Sequence, residues 1–221
     1  MPMIRAMRLL NAIEAGTTSS SQLEALLSSD PGRAAEFGVL CGIRALVRRM
    51  LSASTTMSAI FGSSTALSIF AASPTSVILG AQDPLYGPMM VLSSVAKMAI
   101  FNSDIALNAL LGSPAALTRF RSSAQYVVRS ASSSGAITVG AGDGAYIALG
   151  FSSSNAAVGH SIALTTLRPG SSLSSVVVAD SAGNTGSGGA YYPRAIPLVS
   201  SFAASMNTSR TWYFGMLRCD V

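Results

Sequence analysis

Charge is scarce in this sequence. Charged side chains make up 10% of the 221 residues, against about 25% in an average soluble domain, while the apolar fraction is 49%. That balance excludes a disordered chain, which needs low hydrophobicity and high net charge. It also leaves too few ions to solvate a free-standing surface, so much of the exterior is expected to be covered by other chains. The formal charge of +5 comes from thirteen arginines, one lysine (Lys97) and nine acids, spread as +2, +1 and +2 over residues 1–51, 52–122 and 123–221. No basic block results, and no nucleic-acid partner is expected. The tightest cluster, Arg44, Arg48 and Arg49, reads as a helix end whose cations offset the macrodipole.

Other absences narrow the field further. No run of 18 or more residues is apolar without interruption; the richest, Met57 to Ala81, is broken by Ser58, Ser63, Ser64, Ser68, Ser73, Pro74 and Ser76, so no membrane insertion is expected. The opening Met1-Pro2-Met3-Ile4-Arg5 lacks the apolar core and cleavage site of a secretory leader, which predicts synthesis in a cytoplasm. Two cysteines 178 residues apart, Cys41 and Cys219, make neither a disulfide framework nor a metal site and read as buried thiols.

Catalytic chemistry is poorly supplied. The single histidine, His160, sits among small residues, and serine is too frequent for any Ser/His/Asp spacing to carry information. Residues 123–221 contain no glutamate and only Asp143, Asp180 and Asp220 as acids, which disfavours a carboxylate pair for glycoside cleavage. Gly140-Ala-Gly-Asp-Gly144 lacks the spacing of a nucleotide loop and precedes a strand pattern, so it is expected to form a hairpin turn. Neither catalytic residues, cofactor nor metal are expected. The candidate binding residues are Tyr191 and Tyr192, an aromatic pair between a glycine-rich loop and Pro193; such side chains give contact area at low entropic cost. Trp212 and Tyr213 lie in an alternating run and read as core or subunit interface.

What the sequence does contain is a repeat of about ten residues. It runs Ser54–Gly62, Ser63–Ala72, Ser73–Gly80, Ser94–Asn102, Ser103–Gly112 and Ser113–Phe120, with Asp83–Leu92 filling the gap in register, so that seven units fit. A Ser or Asp opens each unit and accepts from a free backbone N–H; Pro follows it in Ser73-Pro74, Asp83-Pro84 and Ser113-Pro114. Gly62, Gly80, Asn102 and Gly112 close four of the units. Large apolar residues fall four and seven positions after the opening Ser: Leu67 and Phe70, Met98 and Phe101, Leu107 and Leu110, Leu117 and Phe120. That is one face of a two-turn helix. Helices this short do not survive alone, because nucleation outweighs so few hydrogen bonds, and they must therefore stack. Upstream, a first helix covers about Ile4 to Ala15, Ser21-Gln-Leu-Glu24 matches a capping box, and Asp30-Pro31 opens a helix running to about Leu51.

Near Ser122 the pattern changes to alternating β-branched residues with Gly and Ser. Seven strands are expected: Gln125–Ser130, Ala136–Val139, Ala145–Phe151, Ser161–Leu167, Ser174–Ala179, Ile196–Phe202 and Thr211–Leu217. The fold class is thus α+β, with a helical repeat domain over residues 1–122 followed by an antiparallel β-sandwich or jelly-roll domain over 123–221.

The pattern Ser-Ser-Thr-Ala-Leu-Ser-Ile-Phe-Ala-Ala-Ser, with its neighbours Ser-Thr-Thr-Met-Ser-Ala-Ile-Phe and Ser-Asp-Ile-Ala-Leu-Asn-Ala-Leu, resembles the Ser-x-Thr-Ala-Met-x-Ala-Val arrays of bacteriophage virion proteins of the tail-fibre or structural type. The resemblance covers about residues 50–122. It implies a non-enzymatic virion protein assembled in the host cytoplasm, a homotrimeric fibre or appendage subunit whose partners are its own copies, other virion proteins and a host cell-surface glycan or protein. The alternatives it leaves are a head-fibre, collar or capsid-decoration protein and, lower, a polysaccharide-degrading tail spike. From another class comes a solenoid-plus-sandwich binding module that is a soluble monomer. No functional residues of the family transfer to this chain.

Overall fold

The computed structural model describes residues 2–139, 144–153, 160–164, 167–173, 176–179, 192–199 and 202–221. The chain forms two compact units, Met1–Arg119 and Phe120–Val221.

The first unit is entirely helical: α1 (Pro2–Glu14), α2 (Ser20–Ser29), α3 (Pro31–Gly42), α4 (Arg44–Ser52), α5 (Ser54–Phe61), α6 (Ser64–Ala72), α7 (Pro74–Gln82), α8 (Tyr86–Leu92), α9 (Ser94–Phe101) and α10 (Asp104–Leu111), with α11 (Pro114–Arg121) reaching into the second unit. From α3 onward the helices wind three to a turn. α6 packs between α3 and α9, and α7 between α4 and α10; Phe61 of α5 stacks on Tyr86 of α8 with ring centroids 5.9 Å apart. Three ten-residue units make one turn, so hydrogen bonds between turns join residues about thirty positions apart. Ser103 Oγ donates to the Ala72 carbonyl, Ser73 Oγ to that of Cys41, Thr75 Oγ1 to that of Gly42, and Gln82 Nε2 to Ser113 Oγ, at 2.8–3.1 Å.

The corner residue of each unit is extended: Ser63, Ser73, Ser93 and Ser103 have φ between −120° and −72° and ψ between 102° and 134°. Ser63, Ser93 and Ser103 accept from the N–H three residues on, closing one of the four unpaired donors at a helix start. Every unit from Ala53 to Ser122 buries its fourth, fifth and eighth residues. The fourth is small in Ala66, Ala96, Ala106 and Ala116, which lets a neighbouring helix approach, and the fifth and eighth supply bulk, as in Leu67 and Phe70 or Leu107 and Leu110. Burying each such side chain stabilises by about 1.5–3 kcal/mol, which short helices cannot obtain alone.

Six details differ from the sequence reading. The unit expected to open at Ser54 has its corner at Ala53, which caps α5 without a side-chain hydrogen bond. Gly80 does not close its unit but lies within α7, which runs on to Gln82. The corner before α9 is Ser93, not Ser94, so the fully covered pair is Lys97 and Ile100, while Met98 is only half-buried. The helix expected to reach Leu51 breaks at Ile43, whose φ of −99° and ψ of 112° are extended, because Ile43 holds the corner place of its unit. The capping box is formed by Ser19 and Gln22. Glu24 is thereby released to reach the start of α6, where it accepts from Ser63 Oγ and Thr65 Oγ1 at 2.6 Å, Thr65 N at 2.9 Å and Ser64 Oγ at 3.2 Å. Finally, Arg44, Arg48 and Arg49 do not share a helix end: Arg44 opens α4, and Arg49 turns back to Glu14 and Asn11 of α1.

The second unit is one antiparallel sheet of six strands: β1 (Tyr126–Val139), β2 (Ala145–Ser153), β3 (His160–Leu164), β4 (Val176–Ala179), β5 (Tyr192–Val199) and β6 (Phe202–Arg218). It is not the sandwich or jelly roll that seven short strands suggested. The reason is β6, 17 residues long, which pairs with β1 along one edge and with β3 and then β2 along the other. β5 extends the sheet beyond β2, and β4 beyond β3. Pro193 and Pro197 are tolerated in β5 because, among the described residues, β2 alone forms a ladder with it, the other side making just the isolated Leu167–Leu198 bridge. β1 and β2 flank β6 on opposite edges; of the turn expected over Gly140–Gly144, only Gly144 lies within the described residues. Residues 145–151 of β2 and 214–217 of β6 are buried throughout; Phe151 and Phe214 meet edge to face at 5.7 Å. Gly215 lies under the Tyr126 ring, where a Cβ would collide with the phenol.

Glu24 generates the first prediction. Its hydrogen bonds from Ser63 and Thr65 hold its pKa at about 2, below the ordinary 4.5, against a smaller opposing effect of desolvation. A carboxyl depressed in the folded state stabilises above its unfolded pKa and loses that contribution as pH falls toward 2. Glu24→Gln is therefore expected to lower the thermal midpoint at pH 7, with the gap to wild type closing between pH 4.5 and 2; a constant gap refutes it. Thr56 yields the second. It is fully buried and its Oγ1 has no hydrogen-bond partner among the described residues, so Thr56→Val should raise unfolding stability by about 1 kcal/mol in denaturant titration.

Candidate functional site

The predicted tyrosine pair is only partly placed. Tyr191 lies outside the described residues; Tyr192 opens β5 opposite Phe151 of β2, and its side chain is likewise outside them. The same holds for the side chains of His160, which opens β3, and Trp212, in β6. Of the three acids of residues 123–221, Asp143 and Asp180 fall outside the described residues and Asp220 inside. Among the described residues no group of three or more His, Cys, Asp or Glu is placed to hold a metal.

Asp220 forms a constellation of polar groups with Arg218 and Tyr146. Arg218 donates from Nε to its Oδ1 at 2.9 Å and from Nη2 to its Oδ2 at 3.4 Å. The guanidinium lies over the Tyr146 ring, 6.0 Å from its centroid. The hydrogen bond from Arg218 holds the Asp220 carboxyl below its usual range, although partial burial opposes this. Gly144, at φ 151°, permits the approach: a Cβ there would stand 3.0 Å from Asp220 Oδ2. Cys219 N donates to the Ala145 carbonyl at 2.8 Å, which ties the end of β6 to the start of β2. Sequence reasoning treated Asp220 only as a candidate catalytic acid and overlooked Arg218 and Tyr146. Their signal is long-range, a register that sets Tyr146 opposite Arg218.

In the helical unit, shallow grooves run between turns. One of about 500 Å³ lies between α6 and α9 and includes Thr65, Ile69, Val95 and Met98; another of about 430 Å³ is lined by hydroxyls of Thr18, Ser19, Ser20, Ser54, Thr55 and Ser58. Neither holds a charged side chain. Among the described residues no single helix is long and apolar enough to cross a membrane; α5 and α6 are so only together, and they meet at 104°.

Both cysteines are fully buried and neither forms a disulfide. Burial pushes the Cys41 thiol up, with Ser76 opposing it weakly, and Cys219 Sγ donates to the Leu217 carbonyl at 3.5 Å. A buried thiol held in its protonated form is a poor nucleophile. No family model matches the chain, and comparison with curated proteins finds none similar to it.

A third prediction concerns these thiols. In native buffer a disulfide-exchange reagent such as Ellman's is expected to titrate neither cysteine within minutes, and in denaturant to titrate both. Rapid labelling of either in the folded chain would contradict the packing described.

Proposed function

We propose that this chain is a non-enzymatic structural protein of a bacteriophage virion, a homotrimeric tail-fibre or appendage subunit. In this reading the helical unit attaches to the particle and to its own copies. The β unit contacts a host surface or a neighbouring virion protein.

One observation carries the proposal. Residues 52–118 hold only three charged side chains, Asp83, Lys97 and Asp104, and Lys97 is fully buried. Leu85, Leu92 and Ile105 meanwhile stand 62%, 61% and 65% exposed. An exterior with two carboxylates and a scatter of large apolar side chains is poorly suited to standing free in water and well suited to lying against other protein. Repeat arrays also associate readily, since each turn presents a similar surface. Copies joined in this way bind a repetitive target by avidity, with weak contacts adding through effective concentration.

The fourth prediction follows. Light scattering on the purified chain should give three times 22.5 kDa, and antibody labelling of intact particles should decorate the tail. A monomer at micromolar concentration would overturn the assembly reading. Label confined to the head or collar would move the protein to a head-fibre, collar or decoration role, and release of reducing ends from host polysaccharide would make it a spike enzyme.

A further inference from the structure

The few charges of the helical unit collect at one end of the coil. Residues 1–51 hold six arginines and four acids, whereas residues 52–118 hold three charged side chains in all. The fold engages every one of those four acids. Glu14 accepts from Arg49, Glu24 from Ser63, Ser64 and Thr65, Asp30 from the N–H groups of Gly32 and Arg33, and Glu36 from Arg33 at 3.1 Å. Arg33 and Arg49 are consumed in these contacts. Arg5 and Arg8 of α1 and Arg44 and Arg48 of α4 are exposed and, among the described residues, make no ion pair.

Arg49 brings the four together. It donates to Asn11 Oδ1 at 2.8 Å and to Glu14, which ties the end of α4 to the end of α1. Residues three or four apart are neighbours on a helix surface, so Arg8 stands one turn before Asn11 and beside Arg5, while Arg48, next to Arg49 in the chain, neighbours Arg44. The helices packed on α1 or α4 do not offset this charge: α3 adds the Arg33–Glu36 pair, and α5 and α7 add none. Asp83 and Asp104 lie one and two turns further along the coil. This end turn therefore carries an uncompensated positive field.

We propose that this end of the array docks on an acidic protein surface, one that presents carboxylates around apolar side chains. A cap that served solubility alone would leave both signs free in water; here only cations are left. Residues 1–51 contain no lysine, and protein interfaces favour Arg and Met while excluding Lys. A guanidinium is weakly hydrated and meets a carboxylate through paired donors. Apolar side chains flank the arginines on both helices. Met3 and Ile4, 42% and 52% exposed, adjoin Arg5 and Arg8, and Arg44 borders a shallow groove of about 280 Å³ that includes Ile78 and Leu79. A nucleic acid would leave those side chains unused, and four cations neutralise few phosphates. A second copy is no better supplied, because its own array offers only Asp83 and Asp104.

The inference rests on the reading that the helical unit attaches to a particle, and it names the face and the chemistry of that attachment. Fluorescence anisotropy on the purified full chain at low ionic strength would use a labelled peptide of repeated Leu-Glu-Glu-Ala, its neutral Leu-Gln-Gln-Ala counterpart and a single-stranded oligonucleotide, with co-sedimentation on phosphatidylserine vesicles alongside. The acidic peptide should bind at least roughly tenfold more tightly than the neutral one, and added salt should weaken it. Arg8→Ala or Arg48→Ala should each cost about two- to fivefold, and alanine at all four arginines more than about tenfold, with the helix content by circular dichroism unchanged. Lysine at all four should retain part of the binding, and Arg129→Ala, on the β unit, should retain all of it. Equal binding of the two peptides, wild-type binding by the four-alanine variant, an equal loss in Arg129→Ala, or tighter binding of the oligonucleotide or the vesicles would each overturn the proposal. A trimer that ignores the acidic peptide refutes this inference and spares the fibre reading; a monomer that binds it through these arginines does the reverse.

Discussion

Everything in the helical unit depends on how its corners satisfy backbone hydrogen bonds. A helix leaves four N–H and four C=O groups without intrahelical partners at its ends. In helices of 7–9 residues, such as α5 to α10, the ends are nearly the whole. Serine suits the corner because one hydroxyl both accepts and donates. Ser103 accepts from Ala106 N and donates to the Ala72 carbonyl one turn away, so a single Oγ closes the start of its own helix and the end of another. Ser63 accepts from Ala66 N and donates to Glu24. Ser73 gives up its capping bond and serves only the Cys41 carbonyl, and there Pro74 has already removed one donor from the helix start.

Those corners explain both the legible and the hidden parts of the fold. The ten-residue period could be read because the corner hydroxyl and the buried fourth, fifth and eighth residues recur together. Its phase failed at Ser93-Ser94, where two adjacent serines offer the same chemistry and only packing decides between them, and at Ala53-Ser54, where the corner residue carries no hydroxyl. Ile43 was missed because it caps without a side-chain hydrogen bond, and Gly42, which ends α3 directly before it, was passed over as a residue of the helix interior. The winding of three helices per turn is not written in any single unit. It arises from the angle at each corner, such as the 104° between α5 and α6, and from Glu24, Ser73 and Ser103 reaching 31–41 residues along the chain.

The sheet solves the same accounting problem by distant pairing, and there the sequence is a weaker guide. Residues Ala203 to Arg210 lack the alternation of large apolar side chains that marks a strand, yet they belong to β6, whose backbone faces β1 over Ala203–Met206 and again from Arg210, and β3 over Ala204–Met206. A strand specified by its partners' hydrogen bonds leaves little trace in its own composition. The same limit hid the polar constellation at the end of β6, since that Tyr146 stands opposite Arg218 follows only from register. Tyr191 and Tyr192 drew attention because aromatic pairs beside glycine are conspicuous in a string of letters, whereas the guanidinium constellation is assembled from residues some seventy positions apart.

The order of the strands sets how the two units reach their structures. Each helical unit touches neighbours within about a turn of the coil, so its contacts can form as the chain lengthens, and loop closure costs little over such separations. The sheet has no such option. β1, β2 and β3 all take β6 as their neighbour, and β6 is the last of the six in sequence, so the ladders joining them must wait for the most distant residues. Until β6 arrives, β1 presents unpaired backbone along 14 residues, the kind of edge that invites another chain. The protein therefore combines a locally determined array with a sheet whose first strand must stay unpaired while the rest is made. In an assembly of identical copies the correct intramolecular β6 competes with that of a neighbour, and its advantage is proximity. It is tethered to the same sheet, which raises its effective concentration far above that of any strand arriving from outside.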